Sequence, residues 1–289
     1  TADGTGEYLL NLAVCLPQST PWADAGHSVA ANQYSVTERA ALQAADATAG
    51  SPLTMTQNGS QYTIEGDNVY MIVNTACGIT YWQQGGIDVI PASSGAATAP
   101  AYSNYRWIEN DAPYGTDPYY AYDNGISSRN FTVSMAADGS AVTITETATG
   151  SLCNYTFVYT VNRDGSVYLD AKYTPKSASL RRIGMLMQFN PELSLAQYYA
   201  RGPLDNTIDR KQGADLGIYE QPVRDFHVDY VRPQTSGDRQ DLRWLTLFAA
   251  NGSGIKVETE GQVNMTLDNY TDEYKHHYLH QWDMEASDK

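Results

Sequence analysis

The residues best equipped for chemistry crowd into one stretch, 198–247. It reads Tyr198-Tyr-Ala-Arg-Gly-Pro-Leu-Asp-Asn-Thr-Ile-Asp-Arg210, then Gly217-Ile-Tyr219, then Asp229-Tyr-Val-Arg-Pro-Gln-Thr-Ser-Gly-Asp-Arg-Gln-Asp-Leu-Arg-Trp-Leu245. Arg201, Arg210, Arg232 and Arg243 stand near Asp205, Asp209, Asp229 and Asp241. Bidentate arginine–carboxylate pairs hold loops in place, and the same groups also suit a polar sugar site. Alternation of charge does not separate these uses, but structural pairing is the commoner one. Each arginine is therefore expected to meet a carboxylate or cap backbone carbonyls. Catalysis by a carboxylate pair needs more: two carboxyl groups held about 5 Å apart, one raised in pKa and one ionised. The acids here sit in turns (Asp138, Asp164, Asp238) or beside arginines (Asp209, Asp241). Solvated turn carboxylates keep ordinary acidity and arginine-paired ones stay ionised, so no catalytic residue is assigned to this chain.

The histidines offer a second candidate. Tyr274-Lys-His-His-Tyr-Leu-His280 reads as a strand with His276 and His280 on one face beside Tyr278. No acid stands at ligand spacing, and no metal ligands are assigned. Mutarotase chemistry would need a histidine and a glutamate converging in a cleft. His227 or His280 with Glu220 or Glu258 could supply them, although neither pairing has a sequence signature. A third candidate is Trp107 to Asn124, which holds Pro113, Gly115, Pro118 and tyrosines 114, 119, 120 and 122. That composition predicts an extended, mobile loop, and long loops are commonly functional.

The elements that must position these groups are strands. Ala141 to Thr147 alternates as a half-exposed antiparallel strand should. Tyr62–Glu65, Asn68–Asn74, Phe131–Met135, Tyr155–Val161 and Val167–Tyr173 follow suit. Asn58-Gly59, Asp138-Gly139 and Asp164-Gly165 lie between them, and the last two predict hairpins because Gly supplies the positive φ of a tight reversal. Only Glu38 to Asp46 has the makings of a helix, halted by the run to Pro52. The chain thus reads as an all-β sandwich or barrel.

Residues 41–52 read as a linker, small and closed by Pro52. Before it, Tyr8–Leu16 and Ser28–Val36 make only two strands, too few for a core of their own. Residues 1–40 are therefore expected to be the end of a preceding sandwich domain, with 53–289 a larger β domain truncated at its C-terminus. The 289 residues carry Lys+Arg 18 against Asp+Glu 33, a net charge of -15, which makes nucleic acid and anionic membrane poor partners. No apolar run is long enough to span a membrane as a helix. Cys15, Cys77 and Cys153 are scattered with no CxxC pattern, neither a disulfide framework nor a zinc site. Tyr 22 and Trp 5 against Phe 5 suit a wet, aromatic-lined sugar surface, and equally the strands of a large sheet.

Several of these residues also carry a family likeness. Arg201-Gly202-Pro203, Asp205-Asn206, Asp209-Arg210, Tyr230-Val231-Arg232-Pro233-Gln234, Gly237, Arg239 and Arg243-Trp244 together resemble the C-terminal domain of glycoside hydrolase family 2 β-galactosidases. Asn104 to Asp111 resembles that family's Phe-Arg-Ala-Pro-x-Asp-Asn-Asp segment with a changed middle, and Thr20 to His27 with Gln33 is similar to the end of the domain before it. The sequence departs from the family at Asp205-Asn206-Thr207, where Glu-Asn-Tyr is usual, and at Pro233-Gln234-Thr235, where Pro-Gln-Glu is usual. The resemblance implies an immunoglobulin-like sandwich end followed by a large antiparallel supersandwich, similar to galactose mutarotases. It also implies that the two glutamates of the retaining reaction lie on a (β/α)₈ barrel outside this chain. Magnesium and sodium belong to the full-length enzyme, their ligands coming mainly from other domains. By the same likeness the segment 110–124 faces the galactoside pocket. Asn110 and Asp111 would fix its base, and Tyr114, Tyr119 and Tyr120 would be candidates to line it. Arg201, Gly202, Pro203, Asp209, Arg210, Tyr230, Arg232, Pro233, Arg243 and Trp244 form the structural motif. The stacking tryptophan of the family would follow Lys289 and is not assigned to Trp282. Expected partners are a galactoside, the enzyme's remaining domains and further copies in an oligomer. The compartment, bacterial cytoplasm or periplasm, stays undecided. A stand-alone carbohydrate-binding module and a mutarotase-like isomerase are the alternatives.

Overall fold

The computed structural model describes residues 6–37, 39–42, 49–90, 100–108, 125–176 and 180–284. Seventeen strands make five antiparallel sheets. β1 (Leu9–Cys15) and β2 (Ser28–Ser35) form a hairpin. β3 (Thr54–Asn58), β4 (Gln61–Glu65), β5 (Val69–Asn74), β6 (Gly78–Gln84) and β7 (Ile87–Ile90) follow as a five-stranded meander. β8 (Ala101–Ser103) pairs with β13 (Gly184–Leu186). β9 (Ser128–Met135), β10 (Ala141–Thr149), β11 (Cys153–Asn162) and β12 (Val167–Pro175) form the second meander. β14 (Leu195–Gly202), β15 (Asp215–Pro222), β16 (Asp238–Phe248) and β17 (Gly254–Thr266) make a third large sheet, in the order β15-β14-β16-β17.

Alternation builds these sheets. In β10, Val142, Ile144, Glu146 and Ala148 are buried while the threonines between them face outward. In β11, Tyr155, Phe157, Tyr159 and Val161 do the same. Burying one face of each strand removes several large apolar side chains from water, each contributing roughly 1.5–3 kcal/mol. Ile64, Met71 and Val73 of the first meander join this core, as do Tyr198, Leu245 and Leu247 of the third sheet. The fold is an all-β antiparallel sandwich. Gly59, Gly139 and Gly165 adopt positive φ at the hairpin turns read from the sequence. Cys15, Cys77 and Cys153 form no disulfide, and no described helix is long and apolar enough to cross a membrane.

An ion pair is built into the core beside the second meander. Glu146 is buried, its carboxylate taking Arg129 Nε at 2.6 Å and the Tyr155 hydroxyl at 2.8 Å. Leaving either charge alone inside a sandwich is unfavourable, so the two sit on paired strands at adjacent positions of one face.

Two expectations need correction. The stretch 274–280 is not a strand: α1 (Asp272–His276) is a short helix, followed by a 3-10 turn at Gln281–Asp283. Thr271 caps it, its hydroxyl accepting the Tyr274 amide at 3.2 Å, and Asp272 and Glu273 fill the first turn where the helix dipole favours acids. Local capping outweighed the aromatic composition that suggested a strand. In the stretch expected as a helix, residues 39–42 have no regular structure, and Glu38 and residues 43–48 lie outside the described residues.

Candidate functional site

The motif residues lie at one end of the third sheet and in the connections around it. Arg201, at the end of β14, places Nε 2.5 Å from Asp241 on β16 and donates to the Ala214 carbonyl at 2.8 Å. Gly202 sits against the Tyr219 ring, where a Cβ would come within 2.8 Å of a ring carbon, so a side chain is excluded. Pro203 is exposed, its carbonyl facing the Tyr198 hydroxyl at 3.4 Å. Asp205 takes Arg210 and the Tyr230 hydroxyl on one oxygen and the Asp238 amide at 2.8 Å on the other. Arg210 also donates to the Tyr230 hydroxyl at 2.7 Å. Asp209 is paired with no arginine; it accepts the Thr207 hydroxyl, which holds its carboxyl below the usual range. Arg243 reaches across 236 positions to Glu7, with contacts of 2.6 and 3.1 Å. Trp244 is half-buried between the edge of Tyr199 and the Lys256 ammonium. Asp229 is exposed and lies 3.7 Å from His227. Of the four aspartates that sequence proximity singled out, Asp205 and Asp241 take an arginine in an ion pair among the described residues.

Two segments far apart in sequence meet at Trp107. Its indole is buried, and Nε1 donates to the Pro233 carbonyl at 2.8 Å. Its amide donates to the Thr235 hydroxyl at 3.1 Å and its carbonyl accepts the Thr235 amide at 2.8 Å. The Arg232 guanidinium lies 5.2 Å from the ring centre, and the His276 imidazole packs against the ring with its centre 4.5 Å away. The stretches resembling one family at 104–111 and at 230–244 thus touch in space. Gly237, with φ 85°, lets this strap run against β17: a Cβ there would lie 2.1 Å from the Leu267 carbonyl.

A charged cluster that sequence reasoning missed lies under this junction. Lys275 is wholly buried, its Nζ 2.7 Å from Asp268 and 3.4 Å from Asp272. Asp268 also meets His227 Nδ1 at 3.0 Å and the Ser236 hydroxyl at 3.1 Å, and the Gln281 amide reaches His227 Nε2 at 2.8 Å. Burial would raise the Asp268 carboxyl, but the bond from His227 and the charge of Lys275 outweigh it and hold it low. Asp238 goes the other way: burial raises it, only partly offset by the Thr266 hydroxyl and Arg182. The signal available in the sequence was Thr271-Asp272-x-x-Lys275, a capped turn with an acid and a base on one face. The isomerase pairings do not form. His227 faces Asp268, His280 faces Asp283, Glu220 accepts from Gln197 and Glu258 from Lys256.

Asn110, Asp111, Tyr114, Tyr119 and Tyr120 lie outside the described residues, as does the rest of 109–124. Among the described residues no three His, Cys, Asp or Glu side chains group to hold a metal.

Against this geometry, a family model described as Beta galactosidase small chain matches residues 65–289, and one described as Beta-galactosidase, domain 4 matches residues 1–37. The chain belongs to the β-galactosidase small-chain family. Relatives agree along its length. A β-galactosidase of Priestia megaterium is 26% identical over 98% of this chain and 28% of its own. One of Halalkalibacterium halodurans is 24% identical over 92% of this chain and 27% of its own. A protein named β-galactosidase 2 of Enterobacter cloacae is 25% identical over 96% and 28%. The chain therefore spans little more than a quarter of the length of these β-galactosidases.

Proposed function

We propose that this chain is the C-terminal part of an enzyme that hydrolyses terminal β-D-galactosides with retention, and that it walls one side of the sugar pocket. The two glutamates that would form and release the glycosyl-enzyme act from a barrel domain elsewhere, as would the magnesium and sodium sites. Residues 1–40 complete an immunoglobulin-like sandwich, 41–52 link, and 53–289 form a mutarotase-like supersandwich. The segment beyond Trp107 contributes Asn110, Asp111 and the tyrosines 114, 119 and 120 to the pocket wall. The observation that carries this reading is the double strap of Trp107 to Thr235 together with its indole bond to Pro233. It ties the entry of that segment to the motif strap, as a binding loop on a rigid scaffold requires.

The test is kinetic. In the full-length protein, Asn110→Ala and Tyr119→Ala are expected to raise KM for a chromogenic β-galactoside about tenfold each, roughly one lost polar or stacking contact. Unchanged KM and kcat in both would remove the pocket role.

A further inference from the structure

The buried charges beneath Trp107 have no part in the reading above. Lys275 presents an ammonium to two carboxylates with none of its surface exposed. A hydrophobic side chain of similar volume would fill that space with no charge to desolvate, so packing alone is a weak reason for a lysine there. What the ammonium does is fix Asp272. The other oxygen of Asp272 accepts the Thr235 hydroxyl and Arg182 Nη1, the latter at 3.3 Å. Thr235 in turn grips both the amide and the carbonyl of Trp107. Arg182 closes the circuit by donating to the Tyr105 carbonyl at 3.2 Å, two residues before Trp107. The indole is held separately by Pro233, Arg232 and His276, so ring and main chain are pinned from two sides.

We propose that Lys275 is a positioning residue: acting through Asp272 and Thr235, it sets the main chain of Trp107 and thereby the direction in which the chain leaves toward the galactoside. Its consequence for catalysis rests on the pocket reading, whereas its geometric content does not. A neutral side chain at 275 leaves Asp268 with His227 alone and Asp272 with Arg182 alone, and it removes the group that holds the second oxygen of Asp272 while the first grips Thr235.

The experiment uses the full-length protein with Lys275→Met, Thr235→Val and both together. Amide hydrogen exchange in Lys275→Met is expected to run about tenfold faster at Trp107 and Thr235, with β10 and β11 unchanged, because local opening there is separable from global unfolding. KM for a chromogenic β-galactoside is expected to rise about tenfold with kcat within about twofold, and the double variant to be no worse than either single one, as members of one chain of contacts do not add. If Lys275→Met does not fold, Thr235→Val carries the same readouts. Wild-type exchange at Trp107 in a folded variant overturns the proposal, and so does loosening spread evenly over β10 and β11. Additive effects on KM also overturn it. Should Asn110→Ala and Tyr119→Ala leave KM untouched, the pocket reading fails, and exchange at Trp107 alone decides the role of Lys275.

Discussion

Single side chains in this protein are set by what burial leaves them no choice about. Asp268 is almost inaccessible, yet its carboxyl lies below its ordinary value of 3.8: burial pushes it up, and His227 and Lys275 more than offset that. A carboxylate depressed in the folded state stabilises fully above its unfolded value and loses that contribution as pH falls through the lower, folded one. Asp238 has the opposite sign. Burial raises it, so its ionisation weakens the fold at neutral pH and its protonation on acidification relieves the strain. The share of Asp268 is therefore lost only below about pH 4, near the unfolded aspartate value. Asp268→Asn should destabilise this chain by about 3 kcal/mol at neutral pH, the scale of breaking a buried ion pair. In urea unfolding, the gap between the two proteins should narrow as the pH drops below that point. A gap that stays constant on acidification would mean that the carboxylate is not the group linked to folding.

At the scale of elements, the helix α1 shows where stability and legibility part. Thr271→Ala should remove about 1 kcal/mol, the usual loss of an N-cap hydroxyl, and should loosen Lys275 along with the turn that carries it. Thermal unfolding would show it as a lower midpoint, and an unchanged midpoint would mean that tertiary packing alone holds the turn. The strands were legible because period-two alternation is a property of each segment by itself. Ala141–Thr147 announces β10, and Asp138-Gly139 announces the turn before it. The helix was not, since five residues are too few for a helical period and the tyrosines at 274 and 278 favour a strand on composition. Its cap was the clue. Partners of charged groups were harder still. Arg201 finds Asp241 forty positions away on a neighbouring strand, and Arg243 finds Glu7. Those distances are set by strand order, β14 beside β16, which no local spacing encodes. The Lys275 cluster was half hidden for the same reason: Asp268 and Lys275 share the segment after β17, but His227 comes from the connection before β16 and meets them only in the folded sandwich.

For the molecule as a whole, what the described acids do decides what the chain can do alone. Glu7, Asp205, Asp241 and Glu146 are each held by an arginine, and Asp268 by Lys275 and His227. Of these, Glu7 and Asp268 are held below the usual carboxylate range against the opposing effect of burial, Glu7 by Arg243 and Asp268 by His227 and Lys275, which suits a nucleophile but not a general acid. Asp238 and Glu273 are raised by burial, and Asp238 is itself buried, accepting the Thr266 hydroxyl at 2.6 Å with Arg182 3.7 Å away. The β1–β2 hairpin, meanwhile, is fastened to the third sheet through Gln33 and the Leu216 backbone and through Glu7 and Arg243. That seam fixes the hairpin on the third sheet from two points. The 289-residue chain, purified alone, is thus expected to leave a chromogenic β-galactoside intact. It should bind galactose no better than about millimolar, near −4 kcal/mol. Calorimetry and a turnover assay check both halves. Turnover that vanishes when one carboxylate of this chain is changed would place the chemistry here after all, and tight galactose binding without turnover would favour a stand-alone binding module.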